Sequence, residues 1–148
     1  MGVAEVDLRA RVSRAQVLEA LVEILGAPAT RFSEDFGCTG SQLGLEVLPR
    51  ARGFLTGVHL SWPHEEFGDW IPEARLAAML AHRFNTDAVI PNVEIPAAAS
   101  LPREFVLIKP DGSAFATDLT SSGIFDDEEE LLPIETLENM LPIAGLSF

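Results

Sequence analysis

An α+β fold, an antiparallel sheet with two helices packed on one face, is what this 148-residue chain predicts. Three observations predict it. Two stretches carry apolar residues at three- and four-residue spacing. Short apolar runs rich in β-branched and aromatic residues are separated by turn-forming clusters. The two kinds of segment interleave without a long series of strand–helix–strand units. The expected order is strand, helix, strand, strand, helix, strand, strand, strand, followed by an acidic C-terminal segment docked on the rest. A chain of about 150 residues buries roughly two-thirds of its unfolded surface, so a single domain over 1–148 needs no disulfides to fold.

Each element has its own signal. Val3 to Val12 alternates loosely between apolar and charged residues, the two-residue period of a half-buried strand. Ser13 and Gln16 form a capping-box pair, and Val17, Leu18, Leu21, Ile24 and Leu25 then line one face of a helix opposite Glu19 and Glu23. Gly26 stops that helix and Pro28 forbids its continuation. Ala29 to Ser41 has no strong period and reads as a loop. Leu43 to Leu48 and Phe54 to Trp62 read as strands joined by the turn Pro49 to Gly53, which predicts a hairpin. Asp69 and Pro72 open a second helix whose buried face is Leu76, Ala77, Leu80, Ala81 and Phe84, with Arg75 and His82 opposite and Asn85 as the stop. A short strand from Asp87 to Ile90 leads into a Pro- and Ala-rich connector, Pro91 to Pro102. Phe105 to Lys109 and Ala114 to Leu119 then flank Pro110-Asp111-Gly112-Ser113, the clearest hairpin signal in the chain.

Charge narrows the function classes. The chain has 23 acidic and 10 basic residues, a formal net charge of −13. Phosphate backbones and anionic lipid surfaces would be repelled by such a balance, so no nucleic acid and no membrane is expected as a partner. With 47% hydrophobic residues and a mean hydropathy of +0.20, the chain is too apolar for a disordered acidic tail. The single cysteine, Cys38, forms no intrachain disulfide, and neither a signal peptide nor a membrane-spanning run is legible, so the cytoplasm is the expected compartment. The excess acid is local. Residues 118–138 hold eight acidic residues and no basic one, which leaves 15 acidic and 10 basic residues for positions 1–117. Leu131, Leu132, Ile134, Leu137, Met140, Leu141 and Ile143 interleave with the acid and provide the apolar anchors for docking.

The search for catalytic chemistry yields little. His59, His64, Glu65, Glu66 and Asp69 are the one cluster with metal-ligand character, with His82 and Cys38 elsewhere, but their spacing matches no zinc template. The plain reading puts His59 in a strand and His64 to Asp69 in a solvated loop ahead of a helix start that favours negative charge. Glu34 and Asp35 precede Cys38, whereas a reactive thiolate wants positive neighbours. Gly40 to Gly44 is neither a nucleophile elbow nor a phosphate loop. The acidic run Asp126, Asp127, Glu128, Glu129 and Glu130 has the most direct physical consequence. Its plain reading is a solvated, solubilising surface. Its functional reading is a surface, flanked by Ile124-Phe125 and Leu131-Leu132, that steers a basic partner electrostatically and then seals with buried contacts. Glu65, Glu66 and Asp69 are assigned to the same surface.

The stretch from Trp70 to about Leu132 resembles small acidic immunity proteins of bacterial polymorphic toxin systems. The residues that carry the resemblance are the helix with Ala74, Leu76-Ala77 and Leu80-Ala81, then Asp87-Ala-Val-Ile90, then Pro102 to Gly112, and last the acidic segment. The resemblance implies a non-enzymatic inhibitor, without cofactor or catalytic residues, that occludes the active site of a cognate toxin domain inside the producing cell. Two alternatives stand beside it. Phe36 to Trp62 is loosely similar to the central strands of type III secretion chaperones, which are dimeric, although Pro133 and Pro142 depart from the final helix of that class. A small metal-dependent enzyme would instead gather His59, His64 and Glu65 around a metal ion.

Overall fold

A computed structural model describes residues 2–34, 42–51, 53–63, 73–91, 105–117 and 132–134. The elements in chain order are β1 (Gly2–Leu8), α1 (Arg14–Leu25), a 3-10 turn (Ala29–Arg31), β2 (Phe32–Ser33), β3 (Leu43–Pro49) and β4 (Thr56–Trp62). They are followed by α2 (Glu73–Phe84), β5 (Ala88–Pro91), β6 (Phe105–Ile108), β7 (Ala114–Thr117) and β8 (Leu132–Ile134). The strands form one mixed sheet in the order β2-β3-β4-β1-β5-β6-β7-β8. This is the expected α+β class. The two additions are β2, inside the stretch read as a loop, and β8, inside the acidic C-terminal segment.

Every strand pair is antiparallel except β2 with β3, where Phe32 faces Leu43 and Ser33 faces Gly44 in parallel register. That pair departs from the purely antiparallel expectation for a local reason. Two residues are too few for alternation to register as a strand signal, and Arg14 of α1 donates to the Ser33 carbonyl at 3.3 Å, which ties the short edge to the helix.

Period-two alternation sends one set of side chains to the helices. Ala4, Val6 and Leu8 of β1, Leu43 and Leu45 of β3, Val58, Leu60 and Trp62 of β4, and Ile90, Val106 and Ile108 share a core with both helices. From α1 come Val17, Ala20, Leu21 and Leu25; from α2 come Ala74, Leu76, Ala77, Leu80 and Ala81. Both described helices therefore lie on one face of the sheet. Each fully buried Leu of this core contributes about 1.5–3 kcal/mol of transfer free energy.

The helix ends follow the sequence closely. Gln16 N–H donates to the Ser13 hydroxyl at 3.2 Å and the Ser13 N–H donates to the Gln16 amide oxygen at 2.9 Å, a complete capping box. Gly26 ends α1 at φ 72°, in the left-handed region, with its N–H bonded to the Val22 carbonyl. α2 ends at Phe84, and Asn85 takes φ 48° as its stop residue. The segment holding Asp69 and Pro72, expected to open this helix, lies outside the described residues.

A smaller apolar layer covers part of the opposite face. Phe54, Val89 and Leu107 are buried there with Phe105 and Phe115 packed against them. No described helix is long and apolar enough to cross a membrane.

Candidate functional site

The ladder registers give the sheet two chemically different ends. One end holds Leu8, Pro49, Thr56, Ala88, Ile108 and Ala114, and four cations gather beside it. Asp87 accepts from Arg9 Nε at 3.2 Å and from Lys109 Nζ at 3.1 Å, so one carboxylate ties the exits of β1 and β6 to the entry of β5. The Arg9 guanidinium also lies 4.4 Å from the centre of the Phe54 ring, a cation–π contact. Arg50 Nη1 donates to Asp7 Oδ1 at 2.6 Å, and Arg11 Nη2 donates to the Arg50 carbonyl at 2.9 Å. Thr56 and Thr86 fix the chain between them: the Val12 and Ala10 N–H groups donate to their hydroxyls, each at 2.9 Å.

The other end holds Gly2, Trp62, Pro91, Phe105, Thr117 and Leu132. Apart from Gly2, which opens β1, these are the strand ends that precede or follow segments 64–72, 92–104 and 118–131. Those three segments carry 11 acidic residues and one basic residue, Arg103. Glu65, Glu66 and Asp69, together with Asp126, Asp127, Glu128, Glu129 and Glu130, belong to them and lie outside the described residues. The topology does fix their flanking strand ends at one end of the sheet. From β4 to β7 there are four inter-strand spacings, about 19 Å at ~4.8 Å each.

On the face away from the helices, β1, β4 and β3 align a polar row. Glu5 faces His59 across the β1–β4 ladder, and His59 faces Glu46 across β4–β3. His59 Nδ1 stands 3.6 Å from Glu46 Oε1. In the next row Asp7 faces Gly57, and the Arg50 guanidinium lies over that glycine, where a Cβ would meet its Nη2 at 2.8 Å. A glycine inside a strand marks close approach of another group, and here the group is the cation that pairs with Asp7. Burial pushes the Asp7 carboxyl above its ordinary value; the Arg50 charge and hydrogen bond and the His59 charge oppose that shift, while Glu5 adds to it.

The sequence reading missed Asp7, Glu5, Glu46 and Arg50 as a group. A usable signal was the spacing of Glu5 and Asp7, two apart on one strand and so on one face. Arg50 was read only as part of a turn. Of the metal alternative, His59 sits in β4 as the plain reading placed it, while His64, Glu65 and Cys38 lie outside the described residues. His82 is exposed, with Nδ1 3.3 Å from the Pro110 carbonyl oxygen. Among the described residues no group of three or more His, Cys, Asp or Glu side chains is placed to share a metal ion.

The described residues hold nine acidic and eight basic side chains, close to neutral, whereas the rest of the chain holds 14 acidic and two basic. No family model matches the chain, and no curated protein or solved structure matches it.

Proposed function

We propose that this chain is a non-enzymatic immunity protein that binds a basic toxin domain through the acidic end of its sheet and inhibits it in the cytoplasm of the producing cell. The observation that carries this reading is the separation of charge. A nearly neutral body pairs its own acids, as Asp7 does with Arg50 and Asp87 with Arg9 and Lys109. Of the 14 acidic residues outside that body, 11 belong to segments whose flanking strand ends share one end of the sheet. A toxin that acts on nucleic acid or nucleotides carries a basic cleft for its phosphates, and an acidic surface competes for the same cations. The strand ends span about 20 Å, a width compatible with the ~800 Å² per partner of a standard interface.

In this reading Glu65, Glu66 and Asp69 join Asp126 to Glu130 in the proposed surface. Their role is steering and pairing, and the apolar neighbours Ile124-Phe125 and Leu131-Leu132 supply the contacts that hold the complex. The reading predicts a neighbouring reading frame that ends in a toxin-like domain, and co-expression with that domain tests it. Cells survive the toxin domain with this protein and die without it if the proposal holds. Equal killing in both cases rejects it.

A further inference from the structure

The outer edge of β8 carries an inference independent of any partner. In the β6–β7 hairpin the Lys109 N–H donates to the Ser113 carbonyl and the Gly112 N–H donates to the Lys109 carbonyl, both at 2.9 Å. Residues 109 and 113 are therefore a pair whose backbone groups point at each other. Such pairs alternate along an antiparallel ladder. Ile108 and Ala114 point theirs apart, Leu107 and Phe115 point theirs together, and Ala114 and Ala116 consequently direct their N–H and C=O groups toward β8. Across the β7–β8 ladder Ala114 faces Ile134, Phe115 faces Pro133 and Ala116 faces Leu132. Ile134 and Leu132 thus bond inward to β7, while the backbone N and C=O of Pro133 point away from the sheet.

This placement explains why a proline is tolerated inside a three-residue strand. The ladder loses no donor, because the position that lacks an N–H is the one that faces outward. It also changes what the edge can do. Among the described residues β8 is one of the sheet's two edges, and the other, β2, is two residues long with its Ser33 carbonyl already accepting from Arg14. A strand added beside β8 would find an acceptor but no donor at its centre. In a symmetric pairing of two copies about this position, both copies would lack that donor.

We propose that Pro133 closes the β8 edge to strand addition and so keeps the chain from pairing edge to edge with a second copy. Restoring the N–H without changing the strand's inward bonds opens the edge. Pro133→Val and Pro133→Ala are compared with the unaltered chain by sedimentation velocity from about 5 to about 200 µM, with thermal melting as the check on folding. The expected result is a cooperative melt in both variants. The valine variant, with the higher strand preference, forms a concentration-dependent larger species that the unaltered chain does not form. If both variants fold and sediment as the unaltered chain does at every concentration, the edge is not guarded by Pro133. If neither folds, the proline is needed for the fold itself and not as a guard on its edge, which overturns the proposal equally. Should the valine variant alone fail to fold, the alanine variant decides the outcome by the same comparison.

Discussion

Desolvation outweighs the Arg50 guanidinium at Asp7, so this carboxylate holds its proton more tightly in the folded chain than in the unfolded one. The sign follows from linkage. Where the folded state binds more protons than the unfolded state, stability falls as pH rises, so Asp7 costs stability across the window from its ordinary value near 3.8 up to its raised folded value. Asp7→Asn removes that dependence. In urea titrations at a series of pH values, the stability of the asparagine variant relative to the unaltered chain should rise through that window and level off above it. A difference independent of pH would mean that Arg50 fully compensates the burial. Two further side chains set the scale of ordinary packing and capping. Leu80 is fully buried between α2 and the sheet, and Leu80→Ala should cost about 2–5 kcal/mol in chemical denaturation. Ser13→Ala removes one half of a complete capping box and should cost about 0.5–2 kcal/mol. Both of these residues were legible in the sequence, because helical spacing and capping chemistry are local. The Asp7–Arg50 pair was not, since it joins residues 43 positions apart whose meeting depends on strand register.

At the scale of elements, legibility follows length and local chemistry. α1 was readable from Ser13 to Gly26 because cap, apolar stripe and left-handed stop all sit within a few turns. The β6–β7 hairpin was readable from Pro110 to Ser113, where Gly112 takes φ 87° and Asp111 accepts from the Ser113 N–H at 2.9 Å and its hydroxyl at 2.6 Å. Those two bonds also hold the exposed Asp111 carboxyl below its ordinary value. β2 and β8 were invisible as strands because two and three residues carry no period, and each owes its place to the strand already beside it. β1 was drawn too long. Its pairing stops at Leu8, and Ala10 to Val12 is held instead by the hydroxyls of Thr56 and Thr86. Gly57 in β4 supports a prediction at this scale. Gly57→Ala puts a Cβ where the Arg50 guanidinium lies, so the pair with Asp7 must separate or shift. The Asp7 pKa, followed by carboxyl NMR titration, should rise further, because burial then acts with less opposition. An unchanged titration would show that the guanidinium relaxes without leaving Asp7.

The molecule as a whole is organised by where its charge is not balanced. Net charge and its concentration after Asp118 are plain in the sequence, and so is the apolar character of the neighbouring residues. The division of the sheet into two ends could not be read there, because it follows from which strand lies beside which. The strand order brings the ends of β4, β5 and β7 to one side while Arg9, Arg50 and Lys109 gather at the other. That arrangement gives the proposal a direction: under it, a basic partner should be drawn to the end of the sheet where segments 64–72, 92–104 and 118–131 leave the strands. The most direct test is the association rate with a purified basic toxin domain, measured by stopped flow from about 20 to about 500 mM salt. It compares the unaltered chain with a variant carrying Asn at 126 and 127 and Gln at 128 to 130. The unaltered chain should associate rapidly at low salt and slow steeply as salt screens the acidic end, whereas the variant should associate at least several-fold more slowly and with a flatter salt dependence. Identical rates and slopes for the two proteins would contradict the proposal that the acidic end recruits the partner.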